Sequence, residues 1–278
     1  MVAFGLFGLL PLSAASAVGG FLGRSFGPRS GASKRARKNL RNTMPELTDA
    51  EIDRIIRGMW DNLGRIAAEY PHLGEFRVFD PAGPVETVGL IRRLKDHPPA
   101  PDEHYIFFSG HYGNWEIATL AVTQAGLKAA EIYRAANNPI VDRLIHDARS
   151  VVGSELIAKG SAGRRAVAAM RGGAHLCLLV DQRMSQGIVA PFFGRPAQTE
   201  KMVARIALHY KCKVVPVRVE RLGGARFRLS FDEPLPLPDT GDIESDTLAL
   251  TTTINATLER WIRERPDHWF WLHRRWGD

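Results

Sequence analysis

The sequence predicts an α/β protein with a largely parallel sheet, and three observations point there. Short runs rich in β-branched and aromatic residues alternate with longer stretches of helical periodicity. Gly- and Pro-containing breaks separate them, as at "PAGP" 81–84. The 278 residues, 45% hydrophobic and 24% charged, suit a chain with a substantial buried core, as one large α/β domain or two small ones. No internal repeat appears, nor a linker long enough to demand a second domain.

The elements follow in order. Residues 1–23, MVAFGLFGLLPLSAASAVGGFLG, carry no charged side chain. Their length suits a membrane helix, although Pro11, two serines and several glycines weaken it. A cleaved signal peptide would need basic residues before the apolar run, and here they come after it. That order keeps the downstream chain in the cytoplasm by the positive-inside rule. The basic run is Arg24, Arg29, Lys34, Arg35, Arg37, Lys38 and Arg41, with no acidic residue among them. Outside it, basic and acidic residues balance at 30 each, so the whole net charge of +7 lies in this collar. We therefore expect a membrane anchor or interfacial helix with a lipid-phosphate-binding collar over 1–41, and the α/β domain over 42–278.

"TDAE" at 48–51 reads as a capping box, and the apolar residues from Ile52 to Ile66 recur at helical spacing, predicting a helix to about residue 70. Beyond the break, strands are predicted at 104–109, 129–133, 175–180, 213–219 and 226–231. Helices are predicted at 114–126, 139–151, 161–171, 200–210 and 246–264. Pro216 in "VVPV" suggests an edge strand.

Chemistry concentrates where strands run out. In α/β sheets, functional residues gather at the carboxyl ends of strands. His111 in "GHYGNWE" stands just past "HYIFFS", between Gly110 and Gly113. A helix starting near Asn114 would put Glu116 in its first turn, able to fold back on the His111 ring. A carboxylate on one imidazole nitrogen fixes the tautomer and frees the other nitrogen as a base. Alone, a His-x4-Glu spacing is weak evidence.

Company makes it specific. "SGHYGNWE", "YRAANNPIVDRLIHDAR", "VDQR…VAPFFGRPAQT", "VVPV" and "RPDHWFWLHRRW" follow one another in this order. Together they resemble the bacterial lipid A biosynthesis acyltransferases of the late, lauroyl/myristoyl type, relatives of the glycerolipid acyltransferases. The resemblance spans nearly the whole chain. It implies a single glycerolipid-acyltransferase-like domain in which His111, with Glu116, deprotonates a lipid hydroxyl that attacks the thioester of an acyl carrier protein. It also implies an inner-membrane location with the site on the cytoplasmic face. No Gly-x-Ser-x-Gly elbow appears, and neither Cys177 nor Cys212 sits where a thiolate is favoured, so transfer is expected to be direct, without an acyl-enzyme.

Further roles follow from the same resemblance. Arg149, closing the second block, is expected to stabilise the developing oxyanion, with Arg143 as the alternative. Asp181, Gln182 and Arg183 are expected to face the cleft, Arg183 towards a phosphate and Asp181 there or in a structural ion pair. Phe192 and Phe193 are expected to wall an acyl chain, or to be core. Asn114 either caps the helix or touches substrate. Trp115 is read as packing.

Other classes fare worse. The histidines do not form metal-ligand spacings such as His-x3-His, and neither metal nor cofactor is expected. The terminal interleaving of Trp261, Trp269, Trp271 and Trp276 with arginines can grip RNA or sit at a bilayer surface. Beside an apolar N-terminus the bilayer reading is preferred, and no nucleic-acid motif occurs. Remaining alternatives keep the chemistry on another acceptor (a lysophospholipid, an aminolipid or a glycolipid), turn it to hydrolysis, or reduce the protein to lipid binding.

Overall fold

The computed structural model describes residues 2–133, 139–158 and 162–277. Two helices, α1 (Val2–Gly8) and α2 (Leu12–Phe26), open the chain and are separated at Pro11, whose fixed φ and missing N–H interrupt a helix. Among the described residues no helix is long and apolar enough to cross a membrane. Five of the seven collar residues lie on a helix, α3 (Ala32–Thr43), and that helix is built into the fold. Asn39 donates to the carbonyls of Trp271 and His273, and Arg37 and Arg41 pair with Asp53 and Asp49 of α4 (Asp49–Glu69).

The capping box forms as the sequence predicts, with Thr48 and Glu51 satisfying each other's backbone N–H groups. One face of α4 receives α2 at very close range. A Cβ built on Gly64 would lie 2.1 Å from the Gly19 carbonyl, so only glycine lets the two backbones approach so closely.

The sheet follows: β1 (Val85–Gly89), α5 (Leu90–Asp96), β2 (Tyr105–Ser109), α6 (Glu116–Gln124), β3 (Ala129–Tyr133), α7 (Pro139–Arg149), β4 (Glu155–Ala158), α8 (Ala162–Arg171) and β5 (His175–Leu179). A two-stranded hairpin, β6 (Ile188–Phe192) and β7 (Arg195–Thr199), stands apart. Then come α9 (Met202–Tyr210), β8 (Lys213–Gly223), β9 (Arg226–Phe231) and α10 (Ile243–Glu264). The seven-stranded order is β1-β9-β8-β2-β5-β3-β4, and only β8 with β9 is antiparallel. Every predicted strand and helix is present to within a few residues. The sequence reading missed β1, α5, β4 and the β6–β7 hairpin, short segments with little periodicity of their own. Residues 134–138, inside the second motif block, lie outside the described residues.

Pro216 corrects the edge-strand expectation, because β8 is interior, paired with β2 and β9. The ring is tolerated because β9 pairs only from Val217 onward. On that side Pro216 needs only its carbonyl, which accepts from Asp232 N–H.

The C-terminal aromatics also differ from the expected bilayer strip. Trp261, Trp269 and Trp271 are each at most 1% exposed, and Arg275 is fully buried. Residues 266–276 fold back over the carboxyl end of the sheet, where Phe270 N–H donates to the His111 carbonyl and Gly113 N–H to the His268 carbonyl.

Candidate active site

Strand register assembles the site. In the β2–β5 pair, Ser109 lies opposite Leu179. Two residues further on, the chains deliver His111 and Asp181 side by side. The His111 backbone N–H and Nδ1 reach the two oxygens of Asp181, both at 2.8 Å. Asp181 is fully buried and also accepts from Trp269 Nε1–H at 2.7 Å. Burial opposes its ionisation, but the imidazoles of His111 and His273 prevail and hold its carboxyl well below the usual range. The turn between His111 and the next helix requires Gly113. Its φ is +58°, and a Cβ there would meet the Val219 carbonyl at 1.8 Å.

With Nδ1 bonded to a carboxylate, the proton sits on Nδ1 and Nε2 is left as the acceptor. Nε2 has the Gln182 carboxamide nitrogen at 3.4 Å. Both residues line a cleft, together with Arg149, Glu131, Tyr133 and Met202. A much tighter pocket shares Glu131, Leu178 and Leu179 with it and is otherwise walled mainly by Phe107, Trp115 and Val217.

Glu116 does not orient His111, contrary to the sequence expectation. It is the first residue of α6, and its buried carboxylate is taken elsewhere. Arg149 grips it with Nε–Oε2 and Nη2–Oε1 both at 2.7 Å. Tyr70 and Trp115 also donate to it, at 2.6 and 2.8 Å. Burial acts against the charge, but the Arg149 guanidinium wins and the net shift is downward. A guanidinium fork matches a carboxylate in two places, whereas an imidazole offers it only one N–H.

The same contacts bear on Arg149. It is 8% exposed, two of its nitrogens are committed to Glu116, and Nη1 lies 3.3 Å from Glu131. Burial raises the Glu131 carboxyl to about 7, with Arg149 working in the opposite direction. The oxyanion role expected of Arg149 therefore competes with a structural one.

The remaining expected residues scatter. Asn114 is 1% exposed, donates to Glu69 Oε2 at 2.8 Å and accepts from Glu116 N–H, so it braces the loop away from the cleft. Arg143 and Arg183 are exposed. Phe192 and Phe193 do not line the cleft; they are buried against Trp269, Trp271 and Trp276 in an aromatic core. Both cysteines are unpaired and buried, and burial raises their thiols, Cys212 to about 11. Trp269, His273, Glu69, Tyr70 and Glu131 escaped the sequence reading. For Asp181 a signal was present: "HLCLLVD" and "YIFFSGH" place a polar residue at the same offset past a five-residue strand.

His111, Asp181 and His273 bring three potential metal-ligand atoms within 4.8 Å of one another. The 2.8 Å His111–Asp181 contact is a hydrogen-bond length. Ligands about 2.0–2.2 Å from a tetrahedral zinc lie further apart than that.

An imidazole held by a buried carboxylate at the carboxyl end of a mostly parallel sheet, beside a cleft, is the arrangement that proton-assisted group transfer uses. The model of the family described as bacterial lipid A biosynthesis acyltransferase matches residues 1–277, and the chain belongs to that family. It is an acyltransferase. No curated protein matches the chain.

Proposed function

We propose that the protein moves an acyl chain from the thioester of an acyl carrier protein to a hydroxyl of a lipid A precursor at the cytoplasmic face of the inner membrane. The observation that carries this reading is the His111 ring, with Nδ1 fixed by Asp181 and Nε2 at the cleft. Nε2 takes the proton of the acceptor hydroxyl as its oxygen attacks the thioester carbonyl. The C–O bond forms, the C–S bond breaks, and the imidazolium returns its proton to the leaving thiolate. The carrier is released as its free thiol and no acyl-enzyme is formed. The 3.4 Å contact of Gln182 with Nε2 supports it as the group that orients the acceptor hydroxyl.

Membrane association rests on an inverted helix. α2 turns Ala15, Ser16, Gly19 and Gly20 inward and leaves Val18, Phe21, Leu22 and Phe26 at 41–66% exposure. Large apolar side chains outside and small ones inside suit a helix lying in a lipid interface. Lys34, Lys38 and Arg41, exposed on α3, add cationic attraction to anionic headgroups.

The test is purified enzyme, acyl carrier protein charged with a fatty acid, and a lipid A precursor, with products read by mass spectrometry. Ester formation on the precursor that His111→Ala loses is the expected result. Undiminished product from that variant refutes the mechanism. Product only on a glycerophospholipid refutes the acceptor.

A further inference from the structure

We infer that Trp269 is a positioning residue for the reaction: its indole N–H fixes Asp181 so that Asp181 can hold His111. The inference rests on the reading of His111 as the base, and extends it to a segment that the sequence marks only as aromatic and basic.

The donor is built in. Trp269 is 1% exposed, and Nε1–H meets Asp181 Oδ2 at 2.7 Å. Its ring stands edge-on to Trp271 at 4.7 Å between centroids and to Phe192 at 5.8 Å, so it cannot swing away. Its backbone is tied to the catalytic loop: Tyr112 and Trp269 form an antiparallel bridge, flanked by the Gly113–His268 and Phe270–His111 hydrogen bonds. One strip of chain thus holds the carboxylate through a side chain and the histidine through its main chain.

The chemistry explains why such a donor is useful. Asp181 accepts three hydrogen bonds with no water-exposed surface, two from His111 and one from Trp269. An indole N–H is a donor only and does not titrate, so it supports the charged carboxylate equally at every working pH. It also withdraws electron density from Asp181, weakening its pull on the Nδ1 proton. The titratable and charged groups that face Asp181 are His111 from the loop, and His273 and Arg275 from the same C-terminal strip. His273 Nε2 lies 3.9 Å from Oδ2, and the charge of Asp181 is felt at the buried Arg275 guanidinium. Without the indole donor, Asp181 would pull harder on the imidazolium and lose one of its anchors.

The experiment compares the full-length enzyme with Trp269→Phe, and with a variant carrying β-(3-benzothienyl)alanine at 269. The latter keeps the bicyclic shape but puts sulfur in place of N–H. kcat and KM are measured across pH, with folding checked by thermal melting. Loss of one hydrogen bond to a charged group should lower kcat roughly 10- to 100-fold while KM stays within about twofold. The acid limb of the kcat profile, which reports loss of a proton from the His111–Asp181 pair, should move up by about one unit. A merely structural role would lower the folded fraction and leave that limb in place. Should Trp269→Phe fail to fold, the benzothienyl variant decides alone. A folded variant with the wild-type limb and kcat overturns the inference while leaving His111 as the base. Activity in His111→Ala overturns the underlying reading instead.

Discussion

Arg149 and Glu116 form a two-pronged ion pair beneath the catalytic loop, with both N–O contacts at 2.7 Å, and this pair takes the acid of the His-x4-Glu motif away from its histidine. The two residues of the motif therefore go to different partners. His111 meets Asp181, while Glu116 ties α6 to α7 and so fixes where the loop begins.

Asp181→Asn should be nearly as damaging as His111→Ala. An asparagine amide facing Nδ1 favours the tautomer with the proton on Nε2, which cannot then act as a base. The corresponding change in serine-protease triads costs about four orders of magnitude, and loss of a general base roughly two to four. Steady-state kinetics of both folded variants checks this; near-normal turnover in Asp181→Asn would show that the carboxylate is dispensable.

Glu116→Ala should unfold the protein more readily than it disables it. Removing Glu116 leaves the buried Arg149 charge without its two-pronged partner and with only Glu131, 3.3 Å from Nη1, to answer it, a loss of up to about 3–5 kcal/mol. Urea denaturation should show that loss in Glu116→Ala and almost none in His111→Ala. Equal stability of the two would mean that the pair is not structural.

Arg149→Lys should resemble Glu116→Ala in stability, since an ammonium cannot reproduce the fork. If Arg149 also stabilises the oxyanion, kcat should fall by a further two to three orders of magnitude, roughly, with KM little changed. Turnover per folded molecule separates these contributions.

The two carboxylates around Arg149 should respond oppositely to pH. Glu116 has a folded pKa below its ordinary 4.5, so its stabilisation is present above 4.5 and lost as pH falls through the lower folded value. Glu131 is raised to about 7, so its contribution is full below 4.5 and lost as pH rises through about 7. Glu131→Gln stays neutral and should escape that loss. Denaturation midpoints at pH 5 and pH 8 should fall less in the variant than in the wild type; an equal fall would count against a proton on Glu131.

Replacing Phe21, Leu22 and Phe26 together by serine should release the protein from anionic vesicles without affecting its melting temperature. Those side chains face outward from α2, away from α4. Vesicle flotation decides it, and undiminished binding of the variant would place the contact elsewhere.

Periodicity, capping and turn residues are local, and what they control was legible. The capping box at Thr48, the helix it starts, and the strands carrying "YIFFS" and "HLCLL" all declare themselves within a few residues. So did the place of His111 at the end of β2 beside the cleft, because a polar residue just past a buried strand stands out against its neighbours. Asp181 was visible as a cleft residue but not as the partner of His111, since a sequence does not state which strands are adjacent.

By itself, then, the sequence determined the α/β class, most of the elements and the position of His111, all of which depend on side chains within one turn or one strand of each other. Only the tertiary structure decided which carboxylate meets the His111 ring. The β2–β5 register brings Asp181 from 70 residues away to 2.8 Å, while Arg149 draws off Glu116, five residues along. It also decided that the C-terminal tryptophans close over the site instead of lying on a bilayer. A buried carboxylate needs donors on every side, and no short stretch of chain can supply them all.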